Sequence, residues 1–369
     1  MGLNSTEVSR QWATRPDDQR FLTMQDLYQS VKGRRDVSSQ YDAALEDLQF
    51  GYDDKTVFAV NPKSEDKIAF NNWSFGQAAS LVKAPAGYLR TLPPILAAAN
   101  LKYNVFDAYE KGTRTDLRML QTTDPETGVS ELRSVNATTY GRVWDEQVVR
   151  LCQEHIDLSK WKVPHASYAS TNPLLATTLY ASDRDCYIFL VNEDQPVEIP
   201  GDNGKDTLFR GVIIGNSEVG ARTLFYKWFL YREVCDNRII WGMQDVEEVR
   251  IKHSSGAPHR FKKEFAPAIA QIGDASTGQL VSAVKEARRF EVGKDLDEVH
   301  EWLAKKPGFT KSLAKEVATR AEIEEGNPRS LWNLVQGATS LAKEKKHQDA
   351  RMVLEQSSSA LMKYAEARV

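Results

Sequence analysis

Apolar residues recur at helical intervals between Phe21 and Phe50: Leu22, Leu27, Tyr28 and Val31, then Tyr41, Ala44, Leu45 and Leu48. The spacing predicts two short helices broken near Gly33. The polar residues 1–20 before them read as a flexible start. Short apolar runs at Val57–Val60 and Lys67–Phe70 predict two strands, set in an acidic stretch from Asp42 to Asp66 with seven acids and two lysines. Residues 74–109 are rich in Ala, Leu and Tyr and are punctuated by Pro85, Pro93 and Pro94. A proline suits the first turn of a helix and not its interior, so successive short helices are expected, each restarted at a proline.

Asp116–Gln121 and Ser130–Ala137 are β-prone, and the turn signal Asp124–Gly128 between them predicts a hairpin. Val143–Leu158 carries Val148, Leu151, Cys152, His155 and Ile156 near one face, with Asp145 as an early-turn acid, and predicts a helix. A β-rich heart follows over residues 165–253. Its expected strands are Ala166–Ala169, Leu175–Ala181, Cys186–Asn192, Phe209–Ser217, Leu224–Glu233, Arg238–Gly242 and Val249–His253. Residues 191–208, with two prolines and five acids, read as an exposed excursion from the sheet. The run 218–235 fits a helix after Ser217 as well as a strand, because periodicity does not separate short buried helices from strands. From Lys262 onward Ala, Leu, Glu, Lys and Arg dominate, with breaks at Gly273–Gly278, Gly293, Pro307–Gly308 and Gly326–Pro328. Four or five helices are expected there, the last over Gln348–Ala367. The pattern gives an α+β fold: a central antiparallel sheet with flanking helices, and a helical C-terminal domain. The expected division is a flexible N-terminus over 1–20, a mixed core over 21–261 and helices over 262–369.

Composition adds exclusions. The chain has 369 residues, 41% hydrophobic and 27% charged, and its 48 Lys+Arg against 51 Asp+Glu leave a net charge of −3. That balance belongs to an ordinary globular protein and excludes a globally basic coat on nucleic acid. No apolar run reaches the length of a membrane span and no secretory leader is recognisable, so no membrane partner is expected. Three widely spaced cysteines, Cys152, Cys186 and Cys235, do not make a disulfide framework. A cytoplasmic location is the expectation.

Little of the familiar chemistry is present. Gly211, Gly215 and Gly220 lack the Gly-Lys-Ser/Thr ending by which a P-loop reaches phosphate, and are read as tight turns flanking a buried strand. Cys152 and His155 share a helix, but no second pair supplies the three or four ligands that zinc needs. Asp183 and Asp185 would suit a hydrated Mg²⁺, although turn chemistry explains Ser182–Asp185 equally well. No nucleophile elbow and no Cys-x-x-Cys pair occurs. No metal or other cofactor is expected.

Four segments carry a resemblance: Ser74–Pro93, Gly215–Asn237, Arg250–Gly256 and Pro328–Glu344. In order and spacing they are similar to the phage/plasmid-like proteins of domain of unknown function 932, over roughly residues 70–345. Where members read Thr or a Cys-Thr-Asn-like turn, this chain has Cys235-Asp236-Asn237. The resemblance implies a product of a bacteriophage, plasmid or prophage in a bacterial host and brings no assigned activity with it. By fold pattern alone, an antiparallel sheet with helices is also analogous to phage single-strand annealing proteins of recombination.

One constellation remains. Arg250–Lys263 holds five Lys/Arg (Arg250, Lys252, Arg260, Lys262, Lys263), two histidines (His253, His259) and no acid. Trp228, Phe229, Tyr231, Arg232, Arg238 and Trp241 precede it closely. Cations neutralise phosphates and aromatics stack unpaired bases, so the set Trp228, Phe229, Arg232, Arg238, Trp241, Arg250, Lys252, His253, Arg260, Lys262 and Lys263 is expected to bind single-stranded nucleic acid, in a homo-oligomer. The bland alternative is a strand leaving the core into a solvated charged loop with its aromatics buried. Two other classes stay open: an enzyme with a dispersed site, for which Asp183, Asp185, Glu218 and His253 are the suspects, and an interaction protein without chemistry, such as a host-defence antagonist or virion component.

Overall fold

In the computed structural model the residues described are 17–61, 65–113, 115–163, 177–201, 204–232, 237–239, 249–274, 277–343 and most of 354–367. They form an α+β fold around two sheets. The first sheet is built by β2 (Ser38–Ala44), β3 (Gln49–Tyr52), β4 (Val57–Val60), β5 (Lys67–Phe70), β6 (Asp116–Thr123) and β7 (Ser130–Ala137) in the order β2-β6-β7-β5-β4-β3. All its pairs are antiparallel except β5 with β7. The second follows the path β1 (Arg20–Phe21), β9 (Leu179–Ala181), β10 (Cys186–Gly201), β11 (Gly204–Asn216), β12 (Leu224–Arg232) and β13 (Asn237–Ile239). Two short strands complete it: β8 (Trp161–Lys162) on β10 and β14 (Val249–Ile251) on β12.

The first expected helix exists, but it does not break at Gly33. Helix α1 (Met24–Asp36) begins at Thr23, whose Oγ1 accepts the Asp26 amide at 3.1 Å, and buries Met24, Leu27 and Val31. That packing exceeds the roughly 1 kcal/mol that glycine costs in a helix interior. The second helix is absent: Ser38–Ala44 pairs with Asp116–Thr122 as an edge strand. Cross-strand partners more than 70 residues away, including the Asp42–Arg118 ion pair at 2.8 Å, outweigh its local periodicity. The proline-punctuated region matches its reading, as α2 (Asn72–Leu81), α3 (Ala86–Leu89) and α4 (Pro94–Glu110). Phe75, Ala78, Ala79, Ala97, Ala98 and Leu101 from these helices cover the first sheet. The β6–β7 hairpin turns where expected, with Asp124 Oδ1 accepting the Glu126 and Thr127 amides and Gly128 at φ +69.

In the second sheet, Leu224–Arg232 is a strand paired along β11, not a helix. The expected strand Ala166–Ala169 and residue Trp241 lie outside the described residues. Two expectations change. Gly211 and Gly215 sit inside β11, and a Cβ on Gly215 would lie 2.5 Å from the Phe225 ring opposite; only Gly220 (φ +86) is in a turn. The acidic segment 191–208 is no excursion: β10 and β11 stay paired to Gly201–Gly204 across one irregularity between Asn192 and Val197. Val197, Ile199 and Leu208 on this arm are buried among the C-terminal helices. Exposed Glu198 between buried Val197 and Ile199 is the period-two alternation of a half-buried strand.

Helices α5 (Asp145–His155) and α6 (Ala257–Asp274) join α1 on one face of the second sheet, where Val148, Val149, Cys152, Tyr226, Ile251, Phe261 and Phe265 form a core. The other face carries an aromatic cluster of Tyr187, Phe189, Phe209 and Phe225. Residue 262 falls inside α6, so the division expected there does not separate that helix from the sheet. The helices beyond it, α7 (Thr277–Arg289), α8 (Leu296–Ala304), α9 (Lys311–Glu325) and α10 (Leu331–Lys343), pack around Trp332. The expected break at Gly326 is the left-handed cap of α9, at φ +73.

Where the two sheets meet, charged side chains are buried together. Glu218, in the turn between β11 and β12, is 1% exposed and pairs with Arg133 of β7 at 2.8 Å. Its Oε1 accepts the Asp145 amide at 2.9 Å, and Arg34 of α1 contacts both Asp145 (2.7 Å) and Glu218 (3.7 Å). Asn216 donates to Asp145 at 2.7 Å, and Arg142 donates to the Glu218 carbonyl. The neighbouring Val219 carbonyl accepts from Trp73 Nε1 (3.0 Å) and Gln77 Nε2 (2.9 Å) of α2. Removing one partner of such a set strands the other charges in a dry interior. Replacing Glu218 by Gln is expected to cost about 3–5 kcal/mol of stability by urea denaturation. A loss under about 1 kcal/mol would mean that these charges do not hold the sheets together.

Candidate nucleic-acid interface

The segment Arg250–Lys263 divides its side chains between core and solvent. β14 pairs with the start of β12, Arg250 standing opposite Phe225 and Ile251 opposite Leu224. Ile251 is buried and Arg250 and Lys252 are exposed, and α6 then begins at Ala257. Along its first turns Ala257, Phe261 and Phe265 point into the core while His259, Arg260, Lys262 and Lys263 are exposed. This is the i, i+4, i+8 spacing of an amphipathic helix. Arg260 forms an ion pair with Glu264 at 2.7 Å, a solvated i,i+4 contact of small worth. Lys252, Lys262 and Lys263 are in no ion pair among the described residues.

His253 departs from the expectation. It is 8% exposed, its Nδ1 lies 3.1 Å from the Gly141 carbonyl, and its ring stacks on Tyr140 at 4.9 Å. Burial, against the help of the Gly141 carbonyl, lowers its pKa from 6.5 to about 4. At neutral pH it is an uncharged structural group and not a phosphate contact. The approach is close enough to require Gly141, where a Cβ would lie 1.8 Å from the Ser254 carbonyl oxygen. Trp228, Phe229 and Arg232 lie along β12 and Arg238 in β13, opposite Tyr231. The structure therefore brings the strand carrying the expected aromatics beside the strand that leads into the cations.

The enzymatic suspects separate. Glu218 belongs to the buried joint, where burial works against its charge but Arg133 and Arg34 prevail and keep its pKa low. Asp145 is pushed up by burial first and by the Glu218 charge second. Asp185 is fully buried, with Arg222 3.9 Å away. Its amide and that of Arg184 donate to Ser182 Oγ at 3.2 and 3.1 Å, which is the turn chemistry read from the sequence. Cys152 faces the core and His155 faces solvent, so the two do not converge. Among the described residues no three His, Cys, Asp or Glu side chains are grouped to hold a metal ion. No described helix is long and apolar enough to cross a membrane. The buried joint has no counterpart in the sequence reading beyond Asp145 and Glu218; its arginines, at positions 34, 133 and 142, carry no local signal.

No family model, curated protein or solved structure matches the chain.

The depressed His253 has a pH signature. An unfolded histidine binds a proton below pH 6.5 and the folded one only near pH 4, so its contribution is lost as pH falls through that window. Replacing His253 by Gln is expected to flatten the acid limb of stability against pH by up to about 1.4 kcal/mol per pH unit relative to the parent. The comparison is made by urea denaturation at a series of pH values, and parallel curves would refute it.

Proposed function

We propose that this chain is a binding protein of phage or mobile-element DNA metabolism that holds single-stranded nucleic acid along β14 and the start of α6. One observation carries the reading: a run of exposed cations, Arg250, Lys252, Arg260, Lys262 and Lys263, on a buried scaffold, with Arg260 in a solvated ion pair with Glu264. Such an array suits phosphates spaced along a strand and carries no base-reading geometry, so sequence tolerance is expected. The resemblance of residues 70–345 to domain of unknown function 932 supports a mobile-element setting, in the cytoplasm of a bacterial host. Bases would stack on Trp228, Phe229 or Trp241.

If about three to five phosphates are neutralised per protomer, the log–log salt slope is roughly −2 to −4. Changing Lys262 and Lys263 to Glu is expected to flatten the slope and weaken binding at least about tenfold. Removing one stacking aromatic is expected to cost about 1–3 kcal/mol with the slope unchanged. Fluorescence anisotropy of a labelled oligonucleotide across a salt series measures both, and absence of binding near 50 mM salt would overturn the reading.

A second reading rests on α4. Ile95, Tyr103, Phe106 and Tyr109 share one side of that helix at 50%, 66%, 60% and 40% exposure. Large exposed apolar side chains gathered on one helix side suit an interaction surface, and we propose that this one joins copies of this chain. Sedimentation should show an oligomer that Tyr103→Ser with Phe106→Ser dissociates. A monomeric parent protein would remove this reading and leave the strand-binding one in place.

A further inference from the structure

A cavity of about 440 Å³ opens where the two sheets meet, away from the basic segment. One wall is a single face of α2, contributing Asn72, Trp73, Gly76 and Ser80; the others hold Arg90, after α3, and Arg184, from the turn before β10. Two guanidinium groups therefore share one space, and no carboxylate among the described residues lines it. Both are half-buried. Arg90 donates to the Asn72 carbonyl at 2.9 Å and lies over the Phe75 ring at 5.1 Å. Burial, and then the nearby charge of Arg184, lower its pKa. Arg184 lies over the Trp73 ring at 5.5 Å, and its Nε is buried without a hydrogen-bond partner among the described residues.

The scaffold around these cations is held firmly. The Arg184 amide donates to Ser182 Oγ and its carbonyl accepts from Ser217 Oγ at 2.6 Å. The Trp73 indole and the Gln77 amide are both fastened to the Val219 carbonyl. Gly76 leaves the wall bare beside Arg90: a Cβ there would come 3.6 Å from Arg90 Nη2, and any longer side chain would extend toward it. Beyond Arg90 a second cavity, of about 180 Å³, adds Lys55 and again no carboxylate among the described residues.

We propose that this cleft is a phosphate-monoester site, with Arg90 and Arg184 sharing the dianion and Trp73, Asn72 and Ser80 meeting the group attached to it. Like charges held together at half-burial repel each other until an anion joins them. Guanidinium forks match phosphate oxygens with two parallel donors. The larger cavity exceeds the needs of a bare anion and falls in the range of small-molecule sites. Its neutral amide and hydroxyl groups suit the hydroxyl-bearing body of a nucleoside or sugar phosphate. None of these residues lies in 250–263, so the site stands apart from the strand-binding reading.

The test uses the full chain and calorimetric titration in two arms. One arm compares adenosine 5′-monophosphate and glucose 6-phosphate with adenosine and glucose. The other compares a short oligonucleotide bearing a 5′-phosphate with its 5′-hydroxyl form. The expected result is a response that requires the phosphate monoester and weakens about 10- to 100-fold in Arg184→Met and in Arg90→Met. Gly76→Leu should block binding with circular dichroism unchanged, because leucine is the better helix former. A response in the first arm assigns the monoester to a free metabolite, and one confined to the second assigns it to a strand end. Either supports the site. No phosphate-dependent response at millimolar ligand, or one that persists in both Arg184→Met and Gly76→Leu, would overturn it.

Discussion

The structure depends on keeping Glu218 ionised in a place that water does not reach. A carboxylate at 1% exposure needs opposite charge and donated hydrogen bonds close by. They come from positions far apart in the chain: Arg133 on β7 of the first sheet, Arg34 on α1 and the Asp145 amide at the start of α5. Meeting that need fastens the turn between β11 and β12 against the first sheet. The next carbonyl, of Val219, then anchors α2 through Trp73 and Gln77. One turn of the second sheet thus fixes the covering helix of the first, and with it the cleft that Arg184 and Arg90 share.

The second consequence concerns the basic segment. His253 and Gly141 exchange contacts at the point where β14 gives way to α6, and the absence of a Cβ on Gly141 allows the two backbones to approach. This ties the segment to the chain just after β7. Ile251, Ala257, Phe261 and Phe265 then draw it onto the sheet, and the cations between them have no place except outside. The outward array of charge follows from the inward array of apolar contacts.

Much of this was legible locally. The proline-restarted helices of 72–110, the hairpin around Asp124–Gly128, the Val57–Val60 and Lys67–Phe70 strands and the C-terminal helical texture each rest on signals within a few residues. Misreadings arose where a distant partner decided the outcome. Residues 38–44 have helical spacing yet complete a sheet whose other strand begins at Asp116. The acidic stretch 193–198 resembles a surface loop by composition, but its alternate apolar residues are buried by helices more than 80 positions away. His253 stands among the cations in sequence, but the Gly141 carbonyl that its ring meets lies 112 residues earlier.

By itself the sequence determined the α+β class, most element positions and the segment where positive charge gathers, because propensity, turn chemistry and charge are properties of neighbouring residues. The tertiary structure alone decided which charges are silent and which are available. Glu218, Arg133 and Arg34 neutralise one another in the interior, whereas Arg90 and Arg184 line one cavity with no carboxylate among the described residues. Pairing depends on distances in space between residues tens to more than a hundred positions apart, and no local pattern in the chain encodes those distances.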